Sequence, residues 1–446
     1  MAAAEKKLIV FAHLDTDWVP CGQLTLIEDG PMVLASRFAY GLRYLDRHNA
    51  VELDPVSLGL HNKDSIRGKA LLPVNMLPLF GGIRDAAPDA WGRRVIEAKL
   101  KVPANSLSES DYLLHAGSER VGALDVRTAP DAPPRPSHSS WDSLQYLMEA
   151  ADRIEEGLPI PTKLEAIFQD GTALGGARPK ASIRDDDGVL WLAKFRSRTD
   201  GYDIPTIEAA TLRLAAECGL TVPPVKVLPL GSRNIMMIRR FDRYWSAPGV
   251  TKPDDWMTVQ PVAGQQERRL GFVSGLTLLG CDETQSRLKS YADLTHAIRR
   301  YCHTSVIRRD NRELFGRMVY NILVNNDDDH LRNHGFVCDA SLPGWRLSPL
   351  YDVMPRPSLA FERQLHLGVG KQGRSATLDN AMTAKEAFSL SETEAVTVIA
   401  EVWERVREWR VYFEQYGVPA AEIEKIAPAF RHIDDVSSAK LRRQLP

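Results

Sequence analysis

The stretch NNDDDHLRNHGF, residues 325–336, concentrates side chains that can bind metal ions and phosphates and can transfer protons. The stretch follows directly on an apolar segment and contains three consecutive aspartates, Asp327–Asp329. Like charges this close repel one another, and a divalent metal ion usually relieves the repulsion. A solvated loop that caps the preceding helix would have a similar composition. The pattern alone leaves both interpretations open.

Asp328 and Asn333 lie in the order D-x-x-x-x-N within this stretch. Protein kinases use this spacing in the catalytic loop, where the aspartate accepts the proton of the substrate hydroxyl and the asparagine holds magnesium. A predicted hairpin, residues 335–348, leads to Asp352, at the interval where kinases place a second metal-binding aspartate. Two carboxylates and an amide carbonyl would suit one or two Mg²⁺ ions that bridge phosphates.

A second group of candidate residues precedes the acidic stretch. In DGTALGGARPK, the glycines Gly171, Gly175 and Gly176 would let a turn between strands place backbone N–H groups against phosphate oxygens. Lys194 lies in the predicted strand LWLAKF, and a lysine in an apolar strand needs an opposite charge or a bound anion. Glu208 begins the next helix, where it would orient Lys194 as in kinases or serve only the helix dipole.

The segment between the two groups, Ile238–Asp242, would be a hinge between lobes. Its backbone groups would form hydrogen bonds with an adenine, and Asp242 would form one with a ribose hydroxyl. The glycine turn, the strand lysine, the helix glutamate, the hinge and the acidic loop follow one another in the order found in kinases. The shared order makes the five signals stronger together than any one of them.

The whole chain has the composition of a folded globular protein, with 446 residues, 44% hydrophobic and 26% charged, and a net charge of −2. This charge predicts that any contact with nucleic acid needs a local patch or a partner. The five cysteines are scattered and form no C-x-x-C pair, which predicts reduced thiols in a cytoplasmic protein. No stretch approaches the roughly eighteen apolar residues of a spanning helix, so we expect no membrane association.

We predict an α+β protein that begins with a small N-terminal β domain, residues 1–127, and a proline- and serine-rich linker, residues 128–140. A bilobal protein-kinase-like fold would follow. Its N-lobe, residues 141–245, would contain strands, the glycine-rich loop and one helix. Its mostly helical C-lobe, residues 246–446, would contain the acidic loop and the metal-binding residues.

Several motifs together resemble one known family. GGARPKA, LAKF, RRFDR, NNDDDHLRN and LSPLYDV resemble the HipA-type serine/threonine kinases, the toxins of bacterial toxin–antitoxin modules. APDAWGRRVIE and DYLLHAGSERVGALDV resemble the N-terminal domain of that family. The resemblance implies that Asp328 is catalytic, that Asn333 and Asp352 hold Mg²⁺, and that Glu208 orients Lys194. The ATP-binding residues that it implies are Gly175, Gly176, Ala177, Arg178, Pro179, Lys180, Lys194, Arg239, Arg240, Phe241, Asp242, His330, Arg332 and Tyr351.

The resemblance also implies partners and a target. A small helix-turn-helix antitoxin of the HipB type would bind the chain, and operator DNA would be contacted only through that partner. Phosphorylation of an aminoacyl-tRNA synthetase, glutamyl-tRNA synthetase above all, would cause growth arrest and persistence. Family members often carry an autophosphorylated serine just before the glycine loop. Ala173 takes that position here, which leaves the neighbouring Thr172 as the candidate autophosphorylation site.

Two other functions fit some of the same residues. A degenerate kinase would bind the antitoxin and tune repression without transferring phosphate. A metal-dependent phosphohydrolase would use Asp327–Asp329, His330 and His334 to hold two metal ions, but it has no need of Lys194. The arginine pairs are expected on solvated faces; they are Arg239-Arg240, Arg268-Arg269, Arg299-Arg300 and Arg308-Arg309.

Overall fold

The computed structural model describes residues 3–135, 139–161, 178–247, 250, 252, 255–340 and 342–445. Its strands are β1 (Ala4–Leu14), β2 (Asp17–Asp29), β3 (Met32–Tyr40), β4 (Leu124–Arg127), β5 (Ser139–Ser140), β6 (Lys180–Arg184), β7 (Leu190–Lys194), β8 (Val225–Leu230), β9 (Arg233–Arg239), β10 (Arg243–Ser246), β11 (Gln266–Arg269), β12 (Gly271–Ser274), β13 (Gly335–Asp339) and β14 (Leu342–Leu347).

Its α-helices are α1 (Leu42–Leu45), α2 (Lys63–Ile66), α3 (Gly81–Ala86), α4 (Ala90–Leu100), α5 (Glu109–His115), α6 (Leu144–Glu155), α7 (Ile204–Glu217), α8 (Gly275–Leu278), α9 (Glu283–Ser286), α10 (Tyr291–Tyr301), α11 (Ile307–Val324), α12 (Leu378–Met382), α13 (Glu392–Val406), α14 (Trp409–Gln415), α15 (Ala420–Ile426), α16 (Ile433–Val436) and α17 (Ala439–Arg442). Among the described residues, none of these helices is both long and apolar enough to cross a membrane.

The first sheet has the strand order β3-β2-β1-β4, and all its neighbouring strands are antiparallel. β4 returns to β1 after α3, α4 and α5, so that Val126 lies opposite Val10. Leu124 and Val126 close an apolar core that also contains Leu24 and Leu26 of β2. Five α-helices, α1 to α5, lie between β3 and β4, and the pairing of β4 with β1 brings the chain back to the first sheet after them.

The second sheet has the order β5-β6-β7-β9-β8, with β7 at its centre. α7 begins after its N-cap residue Asp203, which accepts a hydrogen bond from the backbone N–H of Thr206. The helix is followed by Gly219, whose φ of +78° is the left-handed conformation that favours glycine after a helix end. α7 packs on β8 and β9, and Glu208 is buried on it. The sheet and this helix therefore carry Lys194 and Glu208 on adjoining surfaces.

The C-terminal part is organised around α11. Every residue of this helix from Leu314 to Val324 is buried, and the helix packs on α10 and α13. It ends at Asn325, whose φ of +53° is one that asparagine adopts more readily than most residues. The side-chain amide of Asn325 donates to the carbonyl oxygen of Arg356. The acidic loop therefore begins at a rigid helix end that is tied to a second loop.

Two of the four arginine pairs, Arg239-Arg240 and Arg268-Arg269, are buried, so the expectation of solvated faces is wrong for them. Partners far away in the sequence make their burial tolerable. Arg269, for example, donates to Oε1 of Glu119 at 3.2 Å. Buried charges persist in proteins when opposite charges and carbonyl groups surround them. For Arg240 and Arg269 such groups come from the segment between α5 and β4, whereas Arg268 pairs with Asp15 and Arg239 donates to the carbonyl oxygen of Val259.

Asp242 is the centre of this buried charge cluster, and its side chain is 1% exposed. Arg240 and Arg243 place guanidinium nitrogens 2.6 and 2.7 Å from its Oδ2 atom. The backbone N–H of Gly122 donates to the same oxygen at 2.7 Å. Burial alone would raise the pKa of Asp242, but the two arginines hold it well below the usual range. Asp242 therefore connects Gly122, just before β4, to the beginning of β10.

Candidate active site

Lys194 lies between two carboxylates. Its Nζ atom is 2.5 Å from Oε1 of Glu208 and 2.9 Å from Oδ1 of Asp352. The lysine ends β7, the glutamate lies in the second turn of α7, and the aspartate lies in the loop after β14. Three separate elements therefore bring charged side chains to one point.

The environment of these three side chains fixes their charges. The side chains of Lys194 and Glu208 are 14% and 4% exposed, whereas that of Asp352 is 42% exposed. Burial raises the pKa of Asp352, but the ammonium of Lys194 outweighs this effect and lowers the pKa to about 2. Burial lowers the pKa of Lys194, and the two carboxylates raise it above its ordinary value. Lys194 is therefore a cation, and Asp352 is an anion with an exposed edge.

Asp352 has a left-handed backbone conformation with a φ of +58°, which is uncommon for a residue other than glycine. Tyr351 fixes the loop just before it. The phenol O–H of Tyr351 donates to the carbonyl oxygen of Arg332 at 2.7 Å, and its ring stacks on Phe241 with 5.6 Å between centroids. These contacts connect the Asp352 loop to the acidic loop and to the segment after β9.

The acidic loop presents Asp327 and Asp328 to solvent, with side chains 45% and 47% exposed. Arg356 contacts both, since its Nη2 atom is 2.6 Å from Oδ2 of Asp328 and its Nε atom is 3.1 Å from Oδ1 of Asp327. Asn333 donates through Nδ2 to the carbonyl oxygen of Asp328 at 2.8 Å. This hydrogen bond closes the loop between the two residues of the D-x-x-x-x-N motif. Nε2 of His330 lies 3.9 Å from Oδ1 of Asp328.

Asp329 points inward, unlike the two aspartates before it, and is 1% exposed. Its carboxylate accepts hydrogen bonds from the O–H of Tyr291 at 2.8 Å and from the backbone N–H of His366 at 2.6 Å. Asn321 of α11 donates to the same phenol oxygen at 2.9 Å. Burial raises the pKa of Asp329 to about 7. The side chain anchors the acidic loop to the core.

Asn333 and Asp352 carry the type of oxygen atom that a hard divalent cation prefers. The Asn333 amide nitrogen is engaged, and within the described part of the chain no group donates a hydrogen bond to its Oδ1 atom. Asp352 has a second carboxylate oxygen beyond the one that contacts Lys194. In the described ranges, no group of three or more histidine, cysteine or acidic side chains has the arrangement of a metal site. Mg²⁺ is compatible with so few protein ligands, because it takes its remaining ligands from phosphates and water.

The glycine-loop residues Gly175–Ala177 and Thr172 lie outside the described residues, so their predicted roles stay predictions. Arg178 is half-exposed and donates to Asp200 at 2.6 Å. Lys180 is buried, and its Nζ atom lies 3.0 Å from Oδ2 of Asp89, just before α4. Sequence reasoning did not identify Asp89, whose only signal is that of a residue that caps a helix.

The hinge residues are only partly available to a nucleotide. The backbone N–H groups of Arg239 and Arg240 donate to the carbonyl oxygens of Pro224 and Leu190, each at 3.0 Å. The predicted ribose contact of Asp242 conflicts with its burial among arginines. Phe241 has a half-buried ring that stacks on Tyr351, and its predicted contact with adenine stays a prediction.

Arg332 and His330, two further predicted ATP-binding residues, differ in their hydrogen bonds. Nε of Arg332 donates to Oε1 of Glu283 at 2.9 Å, at the start of α9. The Nδ1 atom of His330 is buried without a hydrogen-bond partner among the described residues. The structure thus brings Lys194, Glu208 and Asp352 together, and Asp328 with Asn333.

Residues 172–410, more than half of the chain, match the family model described as the HipA-like C-terminal domain. The chain belongs to the HipA-like family. All the residues of the candidate site lie within that range except Asp89. The match therefore confirms the family to which the motifs pointed.

Two curated relatives of this HipA-like chain come from Sinorhizobium fredii, and both are named as inferred kinases. Y4mE is 26% identical over 358 residues, which cover 77% of each chain. Y4dM is 24% identical over 417 residues, which cover 87% of this chain and 88% of the relative. A solved structure of the HipA, HipB and operator DNA complex of Shewanella oneidensis matches with a TM-score of 0.61 and 16% identity, over 98% of this chain and 96% of the other. This match confirms the predicted α+β class and HipA-like architecture.

Proposed function

We propose that this chain is an ATP- and Mg²⁺-dependent protein serine/threonine kinase. The observation that supports the proposal best is the placement of Lys194 against both Glu208 and Asp352. Kinases require a lysine that contacts ATP phosphates, a helix glutamate that orients it and an aspartate that holds the metal. The names of the two Sinorhizobium relatives agree with this activity.

In the proposed reaction, each residue of the site has a physical role. Lys194, held by Glu208, offers fixed positive charge to the phosphates of ATP. Asp328 accepts the proton of the protein hydroxyl and aligns that hydroxyl with the phosphoryl group. Asn333 and Asp352 would hold Mg²⁺, which when bound neutralises charge on the phosphates. Catalysis by this site is mostly positioning, because phosphoryl transfer asks for little covalent chemistry from the protein.

The biological role that we propose is that of the toxin in a toxin–antitoxin pair. The solved Shewanella oneidensis complex contains HipA, HipB and operator DNA of such a system. By analogy, a small helix-turn-helix antitoxin of the HipB type would bind this chain and would itself contact the operator. The substrate that we propose is a component of translation, such as an aminoacyl-tRNA synthetase, with glutamyl-tRNA synthetase first among them. Its phosphorylation would arrest growth.

Phosphoproteomics of cells that express the chain briefly would test the kinase and its target together. We expect one or a few translation proteins to gain phosphoserine or phosphothreonine, and we expect Asp328→Ala to abolish the gain. The same data would report any modification of Thr172. If cells that express the parent and cells that express Asp328→Ala have the same phosphoproteome, the proposed function is wrong.

A degenerate kinase that only binds the antitoxin is the second candidate, and one contact favours it. Arg356 contacts Oδ2 of Asp328, the residue that would accept the substrate proton. Label transfer from γ-labelled ATP and growth on expression without a partner separate the two candidates. A kinase transfers the label and arrests growth, whereas a degenerate kinase does neither.

The structure argues against a two-metal phosphohydrolase. Asp329 gives its oxygens to Tyr291 and to the backbone of His366, so it has none directed at a metal pair. His334 is buried, with Nε2 3.3 Å from the carbonyl oxygen of Asp329. Burial lowers the pKa of His334 to about 3, which is the behaviour of a neutral core residue.

A further inference from the structure

Asp89 connects the N-terminal end of α4 to Lys180, a lysine of the candidate nucleotide site. Its Oδ1 atom accepts the backbone N–H of Gly92 at 2.7 Å and so caps α4. Its Oδ2 atom lies 3.0 Å from Nζ of Lys180, the first residue of β6. The two side chains are 9% and 5% exposed, so water screens this ion pair weakly.

A second contact holds the backbone of the same lysine. The indole N–H of Trp91 donates to the carbonyl oxygen of Lys180 at 3.0 Å. Trp91 is 1% exposed and packs in one apolar cluster with Ala181, Ile183 and Trp191 of the second sheet. Asp89 and Trp91, at the beginning of α4, therefore contact the side chain and the main chain of Lys180, respectively.

Lys180 needs this support because it lies directly opposite Lys194 across β6 and β7. Like charges at directly opposite positions of neighbouring strands destabilise a sheet. Glu208 and Asp352 compensate Lys194, and Asp89 compensates Lys180. Asp89 thus supplies the carboxylate that lets both lysines lie side by side.

We propose that Asp89 is a positioning residue of the nucleotide site, which holds Lys180 in place for the phosphates of ATP. An ammonium group has three donors, and the bond to Asp89 occupies one of them, so this bond is compatible with bonds from Lys180 to phosphate oxygens. A lysine already held in place loses less conformational freedom when the phosphates bind. Asp89, which lies outside the range of the family match, would then contribute to nucleotide binding through Lys180.

This inference rests on the proposed function, because it requires that the chain binds ATP. Asp89→Asn is the sharpest variant, since asparagine caps a helix as well as aspartate does but carries no charge. We expect this variant to unfold at a lower Tm, because buried Lys180 loses its anion, but to remain folded at the assay temperature. It should then bind ATP and ADP with a Kd about tenfold higher, the loss expected for one charge-assisted hydrogen bond. Binding of adenosine, which has no phosphate, should not change.

Three further variants separate positioning from a merely structural role. In a Lys180→Met background, Asp89→Asn should have no further effect on the Kd for ATP, because the two residues act as one unit. Trp91→Phe keeps the ring packing and removes the indole N–H, and it should raise the Kd for ATP by a smaller factor. Asp152→Asn breaks the ion pair with Arg233 elsewhere on the same sheet, and it should leave the Kd unchanged.

The outcomes distinguish a failure of this inference from a failure of the proposed function on which it rests. If the parent protein binds no ATP, both the proposed function and the inference fail. If the parent binds ATP and Lys180→Met weakens binding, but Asp89→Asn and Trp91→Phe do not, only the inference fails. An equal loss of ATP and adenosine binding in Asp89→Asn would also overturn it, since that result indicates general damage to the fold.

Discussion

The guanidinium of Arg356 holds the carboxylate of Asp328, with 2.6 Å between Nη2 and Oδ2. Both side chains are about half-exposed, so this ion pair is accessible to water and to substrate. The backbone N–H of Arg356 also donates to the carbonyl oxygen of Asn325 at 3.1 Å, at the beginning of the acidic loop. Arg356 therefore competes with a substrate hydroxyl for the oxygen that would accept its proton.

Arg356→Gln should increase phosphate transfer to a protein substrate. An exposed ion pair contributes less than about 1 kcal/mol, so its removal should raise the initial rate by up to about fivefold. The measurement is the initial rate of label transfer from γ-labelled ATP, with the thermal midpoint as a control for folding. A tenfold drop in rate would mean that Arg356 positions Asp328 and does not restrain it.

Lys194→Met should destabilise the protein as well as inactivate it. The substitution leaves Glu208, with a side chain 4% exposed, as a buried carboxylate without its cation. Removal of one partner of a buried ion pair costs about 3–5 kcal/mol of unfolding free energy. Urea unfolding should show this loss, and Lys194→Met/Glu208→Gln should recover part of it because glutamine is neutral. A loss below about 1 kcal/mol in the single variant would contradict the buried-pair account.

Asp329 should make the stability of the protein depend on pH. Burial raises its pKa from 3.8 to about 7, so the folded state retains a proton that the unfolded chain releases. This contribution to stability is therefore fully present below the unfolded pKa and is lost as the pH rises through the folded pKa. Between about pH 5 and about pH 7, the unfolding free energy should fall by about 1.4 kcal/mol per pH unit from this group.

Asp329→Asn provides the control for this pH dependence, since asparagine does not titrate. Chemical unfolding at several pH values should give a shallower decline for the variant than for the parent. Other groups titrate equally in both proteins, so the difference between the two slopes reports Asp329. Parallel slopes would show that Asp329 is ionised in the folded protein throughout this range.

Asp242→Asn should destabilise the protein by about 3–5 kcal/mol, because it leaves two buried guanidinium groups without their shared anion. Arg240 and Arg243 both contact the Oδ2 atom of Asp242. The measurement is again urea unfolding, with Asp434→Asn, which alters an exposed ion pair with Arg442, as the comparison. If the two variants lose the same small amount of stability, the contacts of Asp242 with Arg240, Arg243 and Gly122 do not stabilise the fold as proposed.

The placement of Lys194 beside Glu208 could be predicted from sequence, because the signals are local. A lysine in an apolar strand and a glutamate at the start of the next helix lie 14 residues apart. Gly219 marks the end of that helix in the sequence. The prediction that Glu208 begins the helix is wrong, because the helix begins at Ile204, after its N-cap residue Asp203. The order of the elements then restricts which surfaces can meet.

The contacts that escaped prediction join residues far apart in the chain. Asp89 and Lys180 are 91 residues apart, and each has an adequate local explanation as a helix cap or as a strand residue. The buried arginine pairs resemble solvated ones, because several of the groups that compensate them lie far away in the chain. Arg240 donates to the carbonyl oxygen of Arg120, 120 residues away, and Arg268 donates to Asp15, 253 residues away. The three aspartates form one run in the sequence, and only the loop backbone turns Asp329 inward and the other two outward.

Label transfer from γ-labelled ATP to a cell extract, compared between Asp328→Asn and Asp327→Asn, tests the central claim most directly. Both aspartates are about half-exposed and both contact Arg356, so the two variants perturb the loop alike. We predict that Asp328→Asn lowers the transfer rate by at least about a hundredfold, the scale of a lost general base, and that Asp327→Asn retains the parent rate. Equal transfer by the parent and by Asp328→Asn would contradict the assignment of this site as a kinase active site.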